Sequence, residues 1–493
     1  MSPLLESLTA GLDALAQGDA AGLGEVRRAA LAQALEAGVP SQRRERWKYT
    51  SLRALERRSF AASRALPELD AAALALPDGP RLVFANGRYC AALSRTAGLP
   101  EGVSLRPLSR ALGEDAPQAL AFLARRFETR DDVFAQLNAA LAEEGAVLRV
   151  DAGVRVDAPL HLVFLGAPAQ GDVAWALRHR IELGEGAHLK VVEHHLAAAP
   201  HAGLCNALAQ IQLEPRAELC HVRIQSDAAG ATHFLRTDTA LAEASNYRRL
   251  DLELGAALSR HELNVGLLGH GARLHANGVL LGDGRRHLDT RLGIEHAARD
   301  TSCLLEWRGL GAQRARAVFH GGILIQAGAD GTDARHWTLG HRNPLGIAFD
   351  AAGNLWSSEM GPQGGDELNL IVEGRNYGWP KASNGSHYGG ADIPDHRPGD
   401  GYEAPKVSWN PSISPAGLIV YTGDVFPQYK GDLFLGALSG QALIRVDVTG
   451  TDAKKGDEWK MGDRIREVEQ GPDGTMWLLT DESGAKLLQL VAP

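Results

Sequence analysis

The sequence predicts a mainly β protein with an N-terminal helical region, a right-handed parallel β-helix and then a partial β-propeller of about four blades. Two repeats carry this prediction, one of about 28 residues in the first two thirds of the chain and one of about 40 residues in the last third. The shorter period is typical of solenoid coils, and the longer one is typical of four-stranded propeller blades.

The first 60 residues show helical periodicity. Apolar residues recur every three or four positions in LLESLTAGLDAL and in VRRAALAQALEAGV, and the basic and aromatic segment RRERWKYTSLRAL follows. We therefore expect a helical or mixed region over residues 1–144.

From about residue 145 the pattern changes to short alternating apolar runs such as AVLRVDAG, LHLVFLGA and HANGVLLGDG, which are typical of strands. A turn recurs as LGEGAHL, LEPRAEL, LAEASNY and LGHGARL, and it aligns four alanines: Ala187, Ala217, Ala244 and Ala272. Each coil of a solenoid buries its apolar face only against its neighbours. A β-helix is therefore expected over residues 145–334.

Two groups of side chains in this part resemble metal ligands: Glu193, His194, His195 and His201, and His287, Asp289 and His296. Adjacent residues of a strand point to opposite faces, so His194 and His195 do not converge on one ion without distortion of the strand. We expect no metal site here.

The composition excludes several classes of function. A net charge of -9 gives no basic surface for nucleic acid, and no stretch is long and apolar enough to span a membrane. The N-terminus lacks the pattern of a secretory signal. Four scattered cysteines without a CxxC pair favour a reducing compartment, and a cytoplasmic location is expected.

Composition also changes near residues 334 and 335. All four cysteines precede this point, whereas three of the four methionines and six of the nine tryptophans follow it. The last part holds 14 basic and 21 acidic residues, and the difference of -7 leaves -2 for the longer first part. No Pro, Gly or Ser-rich linker marks the junction. A two-domain protein with a tight junction and a fused or misassembled reading frame both stay open.

The last part, residues 335–493, has its own period. The units AAGNLWSSE, YKGDLFLGA and GPDGTMWLLTDE each place a Gly turn before an apolar strand. Gly353, Gly431 and Gly474 are 78 and 43 residues apart, which is about two units and one unit of 40 residues. This spacing predicts propeller blades.

The first part resembles the SufD family of iron-sulfur cluster assembly scaffolds. The resemblance lies in RERWKYTSL, in the strand repeats and in HANGVLLGDGRRHLDTRLGIEHAARDTSCLLEWRGLGAQRARAVFHGGILIQAGADGTDA, and it covers residues 1–334. It implies a non-enzymatic subunit of a cytoplasmic complex with SufB and the ATPase SufC, without an iron-sulfur ligand set of its own. The family continues after TDA with further coils, a histidine in an HGAT context and a helical domain that docks the ATPase, so we expect weakened assembly here.

The last part resembles the soluble aldose dehydrogenases that use pyrroloquinoline quinone (PQQ) and calcium. The matching motifs are GHRNPLGIAFD, EMGPQGGDELNLIVEGRNYGWP, SISPAGLIVYTG and DRIREVEQGPDGTMWLLTDE. The resemblance implies that Arg342 and Asn343 contact the quinone, with Arg342 stabilising the oxyanion that develops as hydride arrives.

The same resemblance assigns further site residues. Arg464 and Arg466 would face the quinone carboxylates, and their spacing of two places both on one face of a strand. Gly361 and Pro362 match the turn whose carbonyl oxygens hold calcium, a hard cation that oxygen ligands suit.

One necessary part is missing from the second resemblance. The family's histidine general base and its acidic partner lie in earlier blades, and no segment before residue 335 resembles them. A base must lie within hydrogen-bond reach of the sugar hydroxyl, so turnover lacks its proton acceptor.

Three hypotheses about function follow. The chain is a scaffold of iron-sulfur assembly, a PQQ- and calcium-dependent aldose sugar dehydrogenase, or a fusion of the two that is inactive as an enzyme. We adopt the fusion, because each resemblance covers only its own part of the chain. The cytosol, where SufD-like proteins work, is expected for it.

Overall fold

The computed structural model describes residues 2–10, 23–115, 117–127, 129, 131–326, 337–482 and 484–491. Contacts divide the chain into two compact units, Met1–Asp333 and Ala334–Pro493. The predicted junction at Ala334 and Arg335 lies outside the described residues. Strands make up 45% and helices 11% of the structure, which confirms the mainly β prediction.

The first unit begins with a mixed region, in which four α-helices are described: α1 (Pro3–Thr9), α2 (Gly24–Ala37), α3 (Leu108–Glu114) and α4 (Val133–Leu141). Three 3-10 helices accompany them: Glu45–Trp47, Leu55–Arg57 and Pro117–Ala124. The early strands are β1 (Ala61–Ala62), β2 (Arg81–Ala85), β3 (Arg88–Tyr89), β4 (Val103–Pro107) and β5 (Ala146–Val150). Helices and short strands thus share the region for which a helical or mixed structure was predicted.

The solenoid follows with twelve strands: β6 (Leu160–Gly166), β7 (Val173–Leu183), β8 (His188–Ala197), β9 (Leu204–Leu213), β10 (Glu218–Ser226), β11 (Thr232–Leu241), β12 (Asn246–Glu253), β13 (Leu258–Leu267), β14 (Arg273–Gly282), β15 (His287–His296), β16 (Ser302–Gly311) and β17 (Arg316–Ile325). Successive strands alternate between two sheets, β17-β15-β13-β11-β9-β7-β5-β4 and β16-β14-β12-β10-β8-β6-β2-β3. Every pairing between strands β6 to β17 is parallel. Each pair of consecutive strands is therefore one coil, and the solenoid has about six.

The predicted period is observed with one correction. Leu219 of β10 pairs with Tyr247 of β12, 28 residues further along the chain. Each turn has one residue with positive φ, namely Gly186, Arg216, Ala244 and Gly271, and a small buried residue follows it, namely Ala187, Ala217, Ser245 and Ala272. The alignment of Ala244 with the other alanines was wrong by one position, because Ala244 occupies the left-handed turn position and Ser245 is the buried residue.

The solenoid interior has an apolar part and a part that holds buried charged and polar side chains. In β8 the inward positions Leu189 and Val191 are followed at the same spacing by Glu193, which is 6% exposed. Glu193 Oε1 lies 3.0 Å from His221 Nε2. Asp251 accepts from Arg223 Nε at 3.1 Å, and both of its oxygens accept from Nε of Arg249 at 3.0 Å. These fully buried charges occur as partners, as burial requires.

The histidines of the possible metal groups point in different directions. His195 faces inward, 3.5 Å from Glu193, whereas His194 faces outward and contacts His161 at 3.1 Å between ring nitrogens. His287, from the other group, contacts the N-terminal region instead: its Nε2 lies 2.9 Å from Thr50 Oγ1. These contacts follow from the alternation of side chains along a strand.

The segment RERWKYTSL packs against the outer face of the first sheet. Trp47 lies under the guanidinium of Arg260, with 4.0 Å between the guanidinium carbon and the ring centroid. Thr50 donates to Asp289 of β15, and Arg260 donates to the same carboxylate. The segment therefore ties the N-terminal region to the solenoid through a cation–π contact and a buried carboxylate.

The second unit consists of short antiparallel sheets. Its strands are β18 (Pro344–Phe349), β19 (Leu355–Glu359), β20 (Gln363–Gly364), β21 (Asp366–Ile371), β22 (Gly385–Ser386), β23 (Val407–Trp409), β24 (Pro415–Val420), β25 (Leu433–Ala437), β26 (Ala442–Thr449), β27 (Asp452–Lys460), β28 (Ile465–Gln470), β29 (Met476–Thr480) and β30 (Leu487–Leu490), and a 3-10 helix spans Pro427–Tyr429. The sheets run β18-β19-β21-β23, β24-β25-β26-β27 and β28-β29-β30, with a separate β20-β22 ribbon. About four blades were expected, and the described residues form two four-stranded sheets and one three-stranded sheet of the meander type.

The predicted Gly turns lie between the first and second strand of each meander. Gly353, Gly431 and Gly474 all have positive φ, and they precede β19, β25 and β29. Residues with a Cβ rarely adopt this conformation, which explains why Gly recurs at the period of the sheet. Among the described residues of the whole chain, no helix is long and apolar enough to cross a bilayer.

Candidate functional site

The Arg342 side chain contacts several groups near the start of the second unit. Its guanidinium donates from Nη1 to the carbonyl oxygens of Met360 at 2.9 Å and Gly361 at 2.8 Å, and from Nη2 to the Tyr388 hydroxyl at 3.2 Å. The ring of Trp379 lies 5.4 Å from the guanidinium carbon. Arg342 is thus held between two carbonyl oxygens and two aromatic rings, in a position where its charge is partly shielded from water.

Glu359, the last residue of β19, holds the HRNP segment in place through hydrogen bonds. Its Oε2 accepts from the backbone N–H of Arg342 at 2.8 Å, and its Oε1 lies 2.9 Å from His341 Nδ1. Asn369 also donates to Oε1 at 2.8 Å. The other ring nitrogen of His341 lies 2.9 Å from Thr338 Oγ1. Both nitrogens of this histidine are therefore engaged in hydrogen bonds.

A second buried acid, Glu367, lies beside Glu359. The Asn369 amide joins the two, because its Nδ2 also donates to Glu367 Oε2 at 3.1 Å. Burial raises the pKa of Glu367 to about 8, and the negative charges of Glu359 and Asp366 add to the shift. Glu367 therefore holds a proton at neutral pH.

Asp366 holds the turn that the resemblance assigns to calcium. Its Oδ1 accepts from the backbone N–H of Gly361 at 2.9 Å. Its Oδ2 accepts from the backbone N–H groups of Ile413 and Ser414, both at 2.7 Å, and from the hydroxyl of Ser412 at 2.6 Å. The fully buried carboxylate thus joins the Gly361 turn to the loop before β24.

We predict that Asp366→Asn lowers the free energy of unfolding of the second unit by about 3 kcal/mol. The NH2 group of the new Asn side chain would face N–H and O–H donors that now bond to the carboxylate of Asp366. Hydrogen bonds to a charged group contribute roughly 1.5–3 kcal/mol each. Denaturant unfolding followed by tryptophan fluorescence measures the change. Asp452→Asn, at an exposed position, is the control, and an equal loss in both variants would contradict the role assigned to Asp366.

Arg464 and Arg466 lie on one face at the start of β28, as their spacing predicted. Both donate from Nη2 to Oδ2 of Asp481, at 3.1 Å and 2.6 Å. These contacts lower the pKa of Asp481, with Arg466 as the larger cause. The side chains of the two arginines are 42% and 45% exposed, so they remain accessible to an anion from solvent.

The structure brings some of the predicted site residues together. Arg342 contacts Gly361 directly, and the Asn343 carbonyl accepts from the backbone N–H of Met360 at 3.1 Å. Pro362 is buried in the same turn. Among the contacts of the described residues, none joins Arg464 or Arg466 to Arg342, and their carboxylate partner lies in the third meander.

The arrangement suits an anion better than calcium. The carbonyl oxygen of Gly361 already accepts from the Arg342 guanidinium, whose positive charge would repel a divalent cation at that oxygen. As it stands, the turn does not fit calcium unless Arg342 moves. Arg464 and Arg466, in contrast, present a carboxylate-binding pair, since they already share one carboxylate oxygen.

Sequence reasoning missed Glu359. Nothing in the sequence set Glu359 apart except its place directly before MGP. His341 adjoins the predicted Arg342, and the nearby His336 lies outside the described residues.

Three family models match the chain. The SufBD protein N-terminal region matches residues 4–162, and the SUF system FeS cluster assembly, SufBD core domain matches residues 165–337. Glucose / Sorbosone dehydrogenase matches residues 325–489. The matches thus follow one another along the chain and overlap only near the junction.

Individual relatives agree with this division. Aldose sugar dehydrogenase YliI from Escherichia coli is 41% identical over 166 residues, which are 32% of this chain and 44% of that protein. Iron-sulfur cluster assembly protein SufD from Escherichia coli is 32% identical over 218 residues, 43% of this chain and 48% of that protein. Quinoprotein glucose dehydrogenase B from Acinetobacter calcoaceticus is 27% identical over 213 residues, 31% of this chain and 44% of that protein.

The chain thus spans less than half the length of each of these relatives. The two kinds of relative match different parts, and each part has the repeat that its sequence predicted. The chain is a fusion that joins the N-terminal region and core domain of the SufBD proteins to a glucose / sorbosone dehydrogenase domain.

Proposed function

We propose that the chain acts through its first unit as a SufD-like scaffold component of iron-sulfur cluster assembly, and that its second unit does not turn over sugars by itself. The observation that carries the proposal is the solenoid of about six coils, over residues that the SufBD models match. Its partners would be SufB and SufC. The location would be cytoplasmic, and four free cysteines suit a reducing compartment.

The proposal includes weaker assembly of this chain with SufB and SufC than that of complete SufD. The chain covers 48% of the related SufD, so any contacts that SufD makes through its remaining residues have no counterpart in this match. We predict that SufB and SufC capture this chain at a level well below that of complete SufD, but above an unrelated β-helix protein. A pull-down with purified partners measures the ratio. Recovery at the level of the unrelated protein would contradict the scaffold role, and recovery equal to SufD would contradict the weakening.

The second candidate is a PQQ- and calcium-dependent aldose sugar dehydrogenase. The observation in its favour is the set of cationic groups, Arg342 and the exposed pair Arg464 and Arg466, in a domain that matches dehydrogenases. When bound, PQQ would accept the hydride of the sugar. Arg464 and Arg466 would bind its carboxylates, and Arg342 would stabilise the negative oxygen that forms.

Proton transfer is the step for which three described titratable neighbours of Arg342, namely Glu359, His341 and Glu367, offer no free acceptor. Glu359 accepts from Arg342 N and Asn369 Nδ2, and His341 bonds through both ring nitrogens. Glu367 holds its proton until the pH approaches about 8, so it is not a base at neutral pH. General base catalysis typically contributes a factor of about 10² to 10⁴.

We therefore predict no sugar-dependent dye reduction above background when the purified chain is incubated with PQQ and calcium at pH 7. Arg342→Ala is the control variant. Turnover that this variant abolishes would contradict the proposal and establish the second candidate. Activity that persists in Arg342→Ala would indicate reduction by a contaminant rather than by this site.

A further inference from the structure

A cavity of about 290 Å³ lies in the first unit between the mixed N-terminal region and the solenoid. At roughly 30 Å³ for each water in the liquid, this volume is equivalent to about ten waters. Five parts of the chain line it: α1, the segment around β1, the hairpin between β2 and β3, the end of α4, and the start of β7 with β9. None of its lining residues belongs to the candidate site of the second unit.

Most of the wall is apolar. Leu8, Phe60, Leu137 and Leu204 contribute aliphatic and aromatic surface, and Trp175 of β7 forms one side. The hairpin approaches this side closely, because a Cβ at Gly87 would lie 2.4 Å from Trp175 Cβ. Glycine, with φ of +76°, is therefore required there, and the hairpin closes one end of the cavity around the indole.

Two uncharged polar side chains of the wall already have hydrogen-bond partners within the protein. Ser7 Oγ donates to the Leu4 carbonyl at 3.0 Å and accepts from the Phe60 N–H at 3.1 Å. Asn206 Nδ2 donates to the Phe134 carbonyl at 2.8 Å. The charged side chains are the strongest groups of the wall for polar recognition of a ligand.

Those side chains give the cavity a positive end. Arg88 donates to the Ser63 carbonyl and pairs with Glu143 at 3.3 Å. Arg64 is exposed at the rim and has no carboxylate within 4 Å among the described residues. Glu144 is 7% exposed, its Oε1 accepts two backbone N–H groups at 3.1 Å, and burial raises its pKa. Glu143 is thus paired with Arg88 and Glu144 with backbone N–H groups, whereas the Arg64 guanidinium has no carboxylate partner among the described residues.

We propose that this cavity binds a small amphipathic carboxylate, whose apolar chain lies against Phe60, Leu137 and Trp175 and whose carboxylate pairs with Arg64 and Arg88. The class follows from the shape and the charge of the wall. Pockets for small molecules are largely apolar with a few polar groups that fix orientation, and guanidinium groups suit carboxylates. Octanoate, with ten non-hydrogen atoms, is small enough for this volume and is therefore a suitable probe.

Isothermal titration of the full chain with octanoate and with octylammonium tests the proposal, since the two probes share a chain and differ in the sign of the charge. We expect saturable binding of octanoate at least tenfold tighter than that of octylammonium. Tighter binding of octylammonium would overturn the proposal, because Glu143 and Glu144 would then govern recognition. The absence of saturable octanoate binding would overturn it as well.

Two variants localise the binding. Arg64→Gln is expected to weaken octanoate about tenfold, whereas Arg314→Gln, at an exposed position outside the cavity, leaves it unchanged. Ala176→Phe, which places a ring in the cavity, is expected to abolish binding. Thermal unfolding of each variant verifies the fold, and octanoate binding that is the same in Arg64→Gln and Ala176→Phe as in the parent chain would overturn the assignment.

Discussion

Replacing Asp251 with alanine is expected to destabilise the solenoid by about 4 kcal/mol, because removal of one partner from a buried ion network leaves uncompensated charge. Asp251 is fully buried and accepts from Arg223 and from Arg249, and His261 Nδ1 lies 3.6 Å from it. The arginines strongly lower the pKa of its carboxyl despite burial. Two guanidinium groups would lose this partner at once.

An exposed pair in the same solenoid provides the control. Asp157 contacts Arg155 at 3.0 Å, with side chains 67% and 65% exposed, and such pairs contribute roughly 0–1 kcal/mol. Urea unfolding of Asp251→Ala and Asp157→Ala, followed by far-ultraviolet circular dichroism, compares the two. If Asp251→Ala cost no more than Asp157→Ala, the buried network would not stabilise the coils.

The second unit is expected to lose stability as the pH rises from about 4.5 to about 8. The pKa of Glu367 is raised from 4.5 to about 8 in the folded unit, so between these values the folded state binds a proton that the unfolded state has released. Stability is therefore fully present below pH 4.5 and falls as the pH rises through 8. The total loss is on the order of 5 kcal/mol.

Glu367→Gln removes the titrating group and is expected to abolish this dependence on pH. Six of the nine tryptophans lie in the second unit, so their fluorescence reports mainly on its unfolding. Denaturant midpoints at pH 5 and pH 8 measure the difference. Glu373→Gln, at an exposed position in the same unit, should keep the parent dependence, and a loss of it there would implicate another group.

The repeats made much of the fold predictable. A coil of 28 residues and a Gly turn before a second strand are local patterns, and each turn has the same backbone requirement for positive φ. The error at Ala244 has the same origin. An alanine stands where the neighbouring turns have Gly186, Arg216 and Gly271, and sequence alone did not show that its φ is positive.

The charged part of the solenoid interior was not predictable in this way. In HLKVVEHHLA the apolar alternation stops after Val191, and Glu193 and His195 have the composition of a solvent-facing strand end. Their partners, such as His221, lie one coil further along the chain. Only the three-dimensional pairing of coils shows that these residues share one interior.

The candidate site illustrates the same limit. The motifs indicated Arg342 and its neighbours by resemblance, and the spacing of Arg464 and Arg466 predicted a common face. The bridge that Asn369 forms between Glu359 and Glu367 depends on the register of β19 with β21, which no local pattern specifies.

The last coil gives the solenoid two unequal ends. Ile294 of β15 is 1% exposed, whereas Ile323, its partner in β17, is 55% exposed although it points into the same interior. Each coil of a solenoid is stabilised by contacts with the coils next to it. A coil with only one neighbouring coil therefore has the smallest free energy of local unfolding. We therefore expect local unfolding to start at β16 and β17 and to spread coil by coil toward the N-terminal region. The coils beside that region should open last.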